Sequence, residues 1–341
     1  MNLTVKEGNY LALGAKVLKN QITFTFEGEK EDVCRVVLVH KTTKEKEYIE
    51  VPSDFCMGSL RSITVSGINP QEYNYLYEIN GKDVLDPYAT VIVGREKWND
   101  ETRKENKYKL AAGFDGVNFP WGNDKNPEVA KSDMIMYKLH VRGFLKTAGK
   151  VKGTFQAVKN KIPYLKDLGV TTVELMPVYE FEEMPIPKEV EIPDYVKWQP
   201  AAEDMIQPVV VDNEVKNINY WGYGPGNYFA VKASYASEPA KANVELKRLV
   251  KALHENGMEC VLEFFFPGDT NHNLIMDVLH FWVKEYHVDG FHIIGDSLPI
   301  TSIIQDPVLS RTKIFAEDFW GQYDSRRKYK NLYIYKEEYQ Y

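Results

Sequence analysis

An all-β module followed by a parallel α/β layer is the fold class that this 341-residue chain predicts. Two observations predict it. Short segments of period-two alternation fill residues 1–110, and near residue 133 the pattern changes to strand and helix in alternation. Between them, residues 111–132 (AAGFDGVNFPWGNDKNPEVAKS) have the Gly, Asn, Asp and Pro content of a linker, so the domain boundary is placed there. The length suits two or three domains, or one large barrel with a small module.

In the first part, QITFTFEG, VCRVVLVH, EYIEV, SITVSG and YNYLYEING alternate apolar with polar residues. Gly28, Pro52, Gly67, Pro70 and Gly81 stand between them, where turns need them. Strands at this spacing predict a sandwich, for packing or for sugar binding. In the second part, MIMYKLHV (134–141) is a nearly continuous apolar run, as for a strand buried on both faces. FQAVKNKIPYLKDLG (155–169) is helical in pattern, with Thr154 as N-cap, Gly169 as stop and Pro163 predicting a kink. TTVELMPV (171–178), ECVLEFFF (259–266), DGFHII (289–294) and TKIFAE (312–317) are further strands. ANVELKRLVKALHENG (242–257) and NLIMDVLHFWVKEYHV (273–288) are helices. Residues 180–219 interrupt the alternation with ten acidic residues, three lysines and five prolines; a segment this long reads as a lid or partner surface, or as a solvated insertion.

Composition narrows the function classes. Hydrophobic content of 44% and charged content of 27% describe an ordinary globular chain. A formal net charge of −7 argues against a nucleic-acid partner. No apolar run reaches membrane-spanning length, and the N-terminus lacks the basic-then-apolar order of a signal peptide. Cys34, Cys56 and Cys260 have no metal-binding spacing. They read as reduced thiols of a cytoplasmic protein, with no metal and no cofactor expected. The 22 tyrosines and 6 tryptophans suit sheet packing, and they also suit stacking on the apolar faces of sugars.

Four segments then carry a resemblance: DPYA (86–89), YKLHVRGF (137–144), KGTFQAVKNKIPYLKDLGVTTVELMPV (152–178) and NYWGYGPGNYFAVKASYA (219–236). In order and spacing they resemble glycoside hydrolase family 13, the α-amylase superfamily, in its pullulanase, isoamylase and glycogen-debranching branch. The resemblance implies a family 48 carbohydrate-binding-like sandwich over 1–110. It implies a (β/α)8 TIM-type barrel over 133–341, of which only the first five βα units are expected in this chain. It also implies an α-glucan or maltooligosaccharide as partner; the oligomeric state is left open. The 209 residues from 133 onward fall short of the ~250 of a full barrel, so the chain reads as part of a longer one.

Retaining glycoside cleavage needs two carboxyl groups, one nucleophile and one general acid/base, at the C-terminal ends of barrel strands. The family's third strand ends in Asp, apolar residues, Asn, His; here Glu263 takes the Asp position, and Pro267 and Gly268 take the Asn and His positions. The fourth strand ends in Asp-Gly-Phe-Arg-Phe-Asp, with the last Asp as nucleophile. Here that position is Ile294, and the orienting Arg is His292. An aliphatic side chain cannot attack an anomeric carbon. Asp296 lies two residues further out, about 6.6–6.8 Å along an extended chain, too far for a tuned site. Glu317 alone keeps a catalytic carboxylate, at the general-acid position. Trp221 and Tyr223 are candidates for sugar stacking. His292 is expected to pair with Glu317 or Glu263, in a cleft more apolar than the family's. Three readings follow: an inactive glucan- or partner-binding homologue, an active hydrolase or transferase with relocated carboxylates, or a purely structural or regulatory subunit.

Overall fold

The computed structural model describes residues 3–104, 110–115, 118–145, 151–184, 218–316 and 330–334. Strands β1 (Thr4–Glu7), β2 (Gly14–Leu18), β3 (Gln21–Glu27), β4 (Cys34–His40), β5 (Lys46–Val51), β6 (Cys56–Met57), β7 (Leu60–Ser66), β8 (Tyr73–Ile79), β9 (Lys82–Val84), β10 (Val91–Val93) and β11 (Ala111–Gly113) form two antiparallel sheets. One runs β1-β7-β3-β2 and the other β10-β11-β8-β4-β5. Period-two alternation lets each sheet bury one face. Phe24, Phe26, Ile63 and Val65 meet Val36, Leu38, Tyr75 and Tyr77 in a single apolar core. The expected linker therefore begins inside a strand: Ala111–Gly113 pairs with β10 and touches β8, because its small residues fit a closely packed sheet edge.

The second layer is parallel. Strands β12 (Met136–Leu139), β13 (Thr172–Leu175), β16 (Glu259–Phe265), β17 (Gly290–Ile294), β18 (Lys313–Ala316) and β19 (Leu332–Ile334) are neighbours in that order, and every pairing is parallel. The five anticipated strands are thus adjacent. The expectation of five units is corrected by β19, whose short Leu-Tyr-Ile run follows an aromatic, charged sequence in which no strand period stands out. A separate antiparallel pair, β14 (Tyr179–Phe181) with β15 (Gly226–Val231), covers one end of the sheet, so the 180–219 interruption also opens on a strand. The remainder of that insertion, 185–217, lies outside the described residues.

Helices α1 (Val141–Phe144), α2 (Phe155–Lys159), α3 (Ile162–Asp167), α4 (Ala242–Glu255), α5 (His272–Tyr286) and α6 (Ile300–Gln305) connect these strands. Thr154 caps α2 by accepting from Ala157 N, and the helix breaks at Asn160 and Lys161 before Pro163, which occupies the first turn of α3, where its missing N–H costs nothing. Gly169 and Gly257 carry the left-handed backbone (φ +78° and +73°) that follows each helix. His287 does the same after α5 at φ 54°.

Strand parity divides the parallel sheet. Val173, Leu175, Cys260, Leu262, Phe264, Phe291, Ile293 and Ile314 are buried in one cluster with Leu249 and Leu253 of α4 and Leu279 and Trp282 of α5. Each such side chain stabilises the fold by roughly 1.5–3 kcal/mol. The other face carries Lys138, Glu174, Glu259, Glu263, His292 and Lys313, on strands whose cross-strand partners share parity. An apolar-on-both-faces strand was the expectation; the inner face is charged instead.

Segment 118–132 crosses the N-terminal ends of these strands as a strap. Trp121 stacks on His287 at 3.9 Å between ring centroids. Asp124 accepts from His254 (2.9 Å) and His287 (2.7 Å), Asn126 donates to Asp289 (2.8 Å), and Val129 N donates to Glu259 (2.9 Å). The polar residues that made this segment read as a linker are the ones that bind it down.

Candidate functional site

The C-terminal ends of β16 and β17 lie side by side at one end of the parallel sheet. Ile294 is the last residue of β17, half-buried, and its carbonyl accepts from Phe266 N at 2.8 Å. Phe265 is its register partner on β16. Gly295 turns the chain at φ +141°, where an added Cβ would strike the Phe266 carbonyl at 1.9 Å, so only glycine fits. Pro267 and Gly268 follow β16, and Asp296 is exposed with its Cβ 3.2 Å from a Cβ placed on Gly268. Asp296 is exposed two residues beyond Ile294. Glu317 lies outside the described residues.

At the strand ends lies a tetrad, one residue from each of four adjacent strands, with Glu174, Glu263 and His292 fully buried and Lys138 partly exposed. Lys138 on β12 places Nζ 2.6 Å from Glu263 Oε2 on β16 and 3.6 Å from Glu174 Oε1 on β13. His292 on β17 has Nδ1 2.7 Å from Glu174 Oε1 and 3.8 Å from Glu263 Oε2. The expected partner of His292 is therefore corrected: its main contact is Glu174, because the strand stagger carries β13 and β17 to the same level of the interior. The strand ends expected to be apolar carry Ile294 and Phe265 side by side, with charged side chains deeper in the sheet.

The tetrad splits its two carboxyls. Burial pushes Glu174 up, but its hydrogen bond with His292 and the charges of His292 and Lys138 outweigh this and hold it below its usual range. Burial dominates at Glu263 and raises it, despite the Lys138 ammonium beside it, with the Glu174 charge adding to the rise. Glu174, Glu263 and His292 bring ligand atoms within 4.8 Å of one another, a spacing able to hold a metal ion. The Lys138 ammonium already supplies the positive charge at that point, and a divalent ion would have to displace it.

Residues 219–225 lie beside these strand ends. Asn219 N donates to Glu183 O, Gly222 N donates to Asn219 Oδ1, and the buried Tyr179 hydroxyl donates to Gly222 O at 3.0 Å. Gly222 has φ +86°, and an added Cβ would sit 2.6 Å from the Phe181 ring. Trp221 is 51% and Tyr223 38% exposed, so both present ring surface to an incoming ligand. Trp221 packs edge-on to Tyr220 and His140, and Tyr223 edge-on to Phe265. Burial lowers His140 to about 4, so it is neutral; it accepts from Gly143 N at Nδ1 and donates from Nε2 to the Tyr235 hydroxyl at 2.9 Å.

Of the residues the sequence singled out, the structure puts Glu263 and His292 side by side on β16 and β17, Ile294 beside Phe265 and Tyr223 edge-on to Phe265, while Trp221 packs on Tyr220 and His140. Sequence reasoning missed Lys138 and Glu174. Both are the third residue of a four-residue strand, at one parity, which is the signal that was there to read.

Residues 138–272 match the family described as "Alpha amylase, catalytic domain". Isoamylase 3 of Oryza sativa subsp. japonica is 28% identical over 85% of this chain and 44% of its own length. Pullulanase A of Streptococcus pneumoniae is 29% identical over 72% of this chain and 19% of its own. The apo pullulanase of Paenibacillus barengoltzii superposes with a TM-score of 0.69 at 18% identity, covering 95% of this chain and 56% of that one.

The chain is similar to the α-amylase family, on its pullulanase and isoamylase side.

Its likeness to the solved pullulanases is one of fold: an N-terminal β domain followed by a TIM-barrel-like domain. This α-amylase-like chain spans less than half the length of each of these curated relatives. Among its described residues, no helix is long and apolar enough to cross a membrane.

Proposed function

We propose that this chain is a catalytically inactive, α-glucan-binding homologue of the debranching branch. The observation that carries the reading is Ile294 at the end of β17, where the resemblance puts the nucleophile. Two buried carboxylates of the neighbouring strands support the reading too. Glu174 and Glu263 are fully buried and committed to Lys138 and His292, so neither is presented to a ligand. An active site with relocated carboxylates would need at least one of them facing an incoming sugar.

Glucan binding is supported by the exposed rings of Trp221 and Tyr223 and by the relatives. One pullulanase structure is described as complexed with maltotriose, and another neighbour as a glycogen-degrading factor. We read the sandwich of β1–β11 as a family 48 carbohydrate-binding-like module and the chain as cytoplasmic, on its three free cysteines. Titration calorimetry with maltooligosaccharides, glycogen and pullulan, alongside a reducing-sugar assay, tests the reading. Binding without product is the expected result. Turnover surviving stringent purification overturns the inactive assignment, and absence of binding leaves a structural or regulatory subunit instead.

A further inference from the structure

We propose that Glu174, Glu263 and His292 form a binding site for a transition-metal dication, Zn2+ by the chemistry of the donors, which enters when the Lys138 side chain swings out. One ligand atom from each of the three lies within 4.8 Å of the others. The three side chains stand on β13, β16 and β17 and are fully buried. Glu174 Oε2 and Glu263 Oε1 are enclosed there without a hydrogen-bond partner among the described residues. Buried carboxylate oxygens are ordinarily matched by donors or by a cation, so two bare ones in one cluster point to an occupant.

The distances suit zinc. Zinc holds His nitrogen and Glu oxygen at about 2.0–2.2 Å, which sets tetrahedral donors roughly 3.4 Å apart. His292 Nδ1 is 2.7 Å from Glu174 Oε1 and 3.8 Å from Glu263 Oε2, so one contact is a little short of that separation and the other a little beyond it. Small side-chain rotations close both differences. An imidazole among the donors favours zinc over Mg2+ or Ca2+, which take oxygen. Three protein donors leave a fourth position for water. Cysteine spacing, on which the expectation of no metal rested, has no bearing on donors carried by three separate strands.

Charge balance permits the exchange. Lys138 Nζ, 2.6 Å from Glu263 Oε2 and 3.6 Å from Glu174 Oε1, holds the place of the cation. Its side chain is 24% exposed while both carboxylates are closed off, so the lysine is the member of the tetrad that reaches solvent. Two carboxylates facing an ammonium and a protonated imidazole carry no net charge, and neither do two carboxylates holding Zn2+ beside a neutral imidazole. When zinc binds, the Nδ1 proton leaves to solvent and the Nδ1 lone pair turns to the metal. The buried charge is therefore exchanged and not increased, which limits the desolvation cost.

The experiment is equilibrium dialysis of the full chain, first freed of metal with a chelator, against Zn2+, with zinc measured per chain. The wild-type chain should take up one zinc, and excess Mg2+ should not displace it. E263Q should weaken binding by about a hundredfold or more, since losing a group that merely orients a ligand already costs about 10–100-fold. K138M removes the competing ammonium and should tighten binding by about tenfold, with a larger zinc-induced rise in thermal midpoint than in the wild type. Should E263Q fail to fold, E263D keeps the charge, retracts the oxygen by one methylene, and should still weaken binding at least about tenfold. Uptake as tight in these Glu263 variants as in the wild type places the zinc elsewhere and overturns the proposal. So does a K138M chain that binds no more tightly than the wild type, and so does a lack of uptake by both.

Discussion

Ile294 and His292 share one parity of β17, and they stand where the α-amylase resemblance implies Asp and Arg. Restoring I294D and H292R together should yield no reducing-sugar release from pullulan. Arg at 292 must enter the closed space between Glu174 and Glu263, and overpacking there costs about 1–3 kcal/mol. Appreciable turnover in the double variant would show that the site retains the rest of its machinery. His292 also has a structural effect that can be measured. H292A leaves the Glu174 carboxylate with Lys138 alone, at 3.6 Å, inside the sheet. Removing one partner of a buried pair costs about 3–5 kcal/mol, to be read as a lower denaturant midpoint. The pH dependence follows from Glu174. Its folded-state value lies below the ordinary 4.5, so its stabilisation is present above that pH and is lost as pH falls through the lowered value. E174Q should therefore flatten the acid limb of the stability curve.

The strap 118–132 has no strand and only a short 3-10 turn at its end, and it is held by side-chain contacts and by bonds to its own backbone at Pro120 and Val129. His254, at the end of α4, stands between Asp124 of the strap (2.9 Å) and Asp289 at the start of β17 (3.0 Å). Burial disfavours its cation, but hydrogen bonds and charge from both carboxylates outweigh burial and raise its value above 6.5. A raised histidine contributes stability that is fully present below pH 6.5 and is lost as pH rises through the folded-state value. D124N should weaken this clamp and shrink the loss of stability on the alkaline side, by about 1–3 kcal/mol at pH 6. Hydrogen exchange checks the element directly: amides of the strap, Val129 first, should lose protection in D124N while β4 and β8 keep theirs.

At the scale of the molecule, a buried ion network joins the segment after β10 to the barrel-like layer. Arg95 Nε donates to Glu182 Oε2 at 3.0 Å, and Arg103 pairs with Glu183. Lys232 at the end of β15 donates to Glu180 (2.9 Å), Glu183 (2.8 Å) and the Phe181 carbonyl (2.7 Å). Tyr88 adds a hydroxyl bond to Asp277 of α5 at 3.0 Å and a stacked contact with Phe229. Glu183 and Lys232 are both fully buried; E183A leaves Lys232 with Glu180 and Arg103 with Glu182, and the lost bonds should cost about 1–3 kcal/mol. With this contact intact, calorimetry should show one unfolding transition, which E183A separates into two. A single transition in E183A would mean that the apolar contacts alone couple the two layers.

By itself, the sequence determined the elements and their order. Period-two alternation sufficed for β3, β4, β7 and β8, and apolar runs between helices sufficed for β12, β13, β16, β17 and β18, because local periodicity records which face is buried. It also raised the expectation about Ile294, because the side-chain type at a position is read without coordinates. Only the tertiary structure decided what the remaining polar residues do. Lys138, Glu174, Glu263 and His292 come from strands up to 154 residues apart in the chain, and strand stagger alone brings them to one level. The strap looked like a linker for the same reason: Asp124 and Asn126 are turn-forming residues in sequence, and their partners His254, His287 and Asp289 lie more than a hundred positions away. Charge pairing across such separations leaves no periodic trace, since it depends on where folded elements meet and not on how each one is patterned.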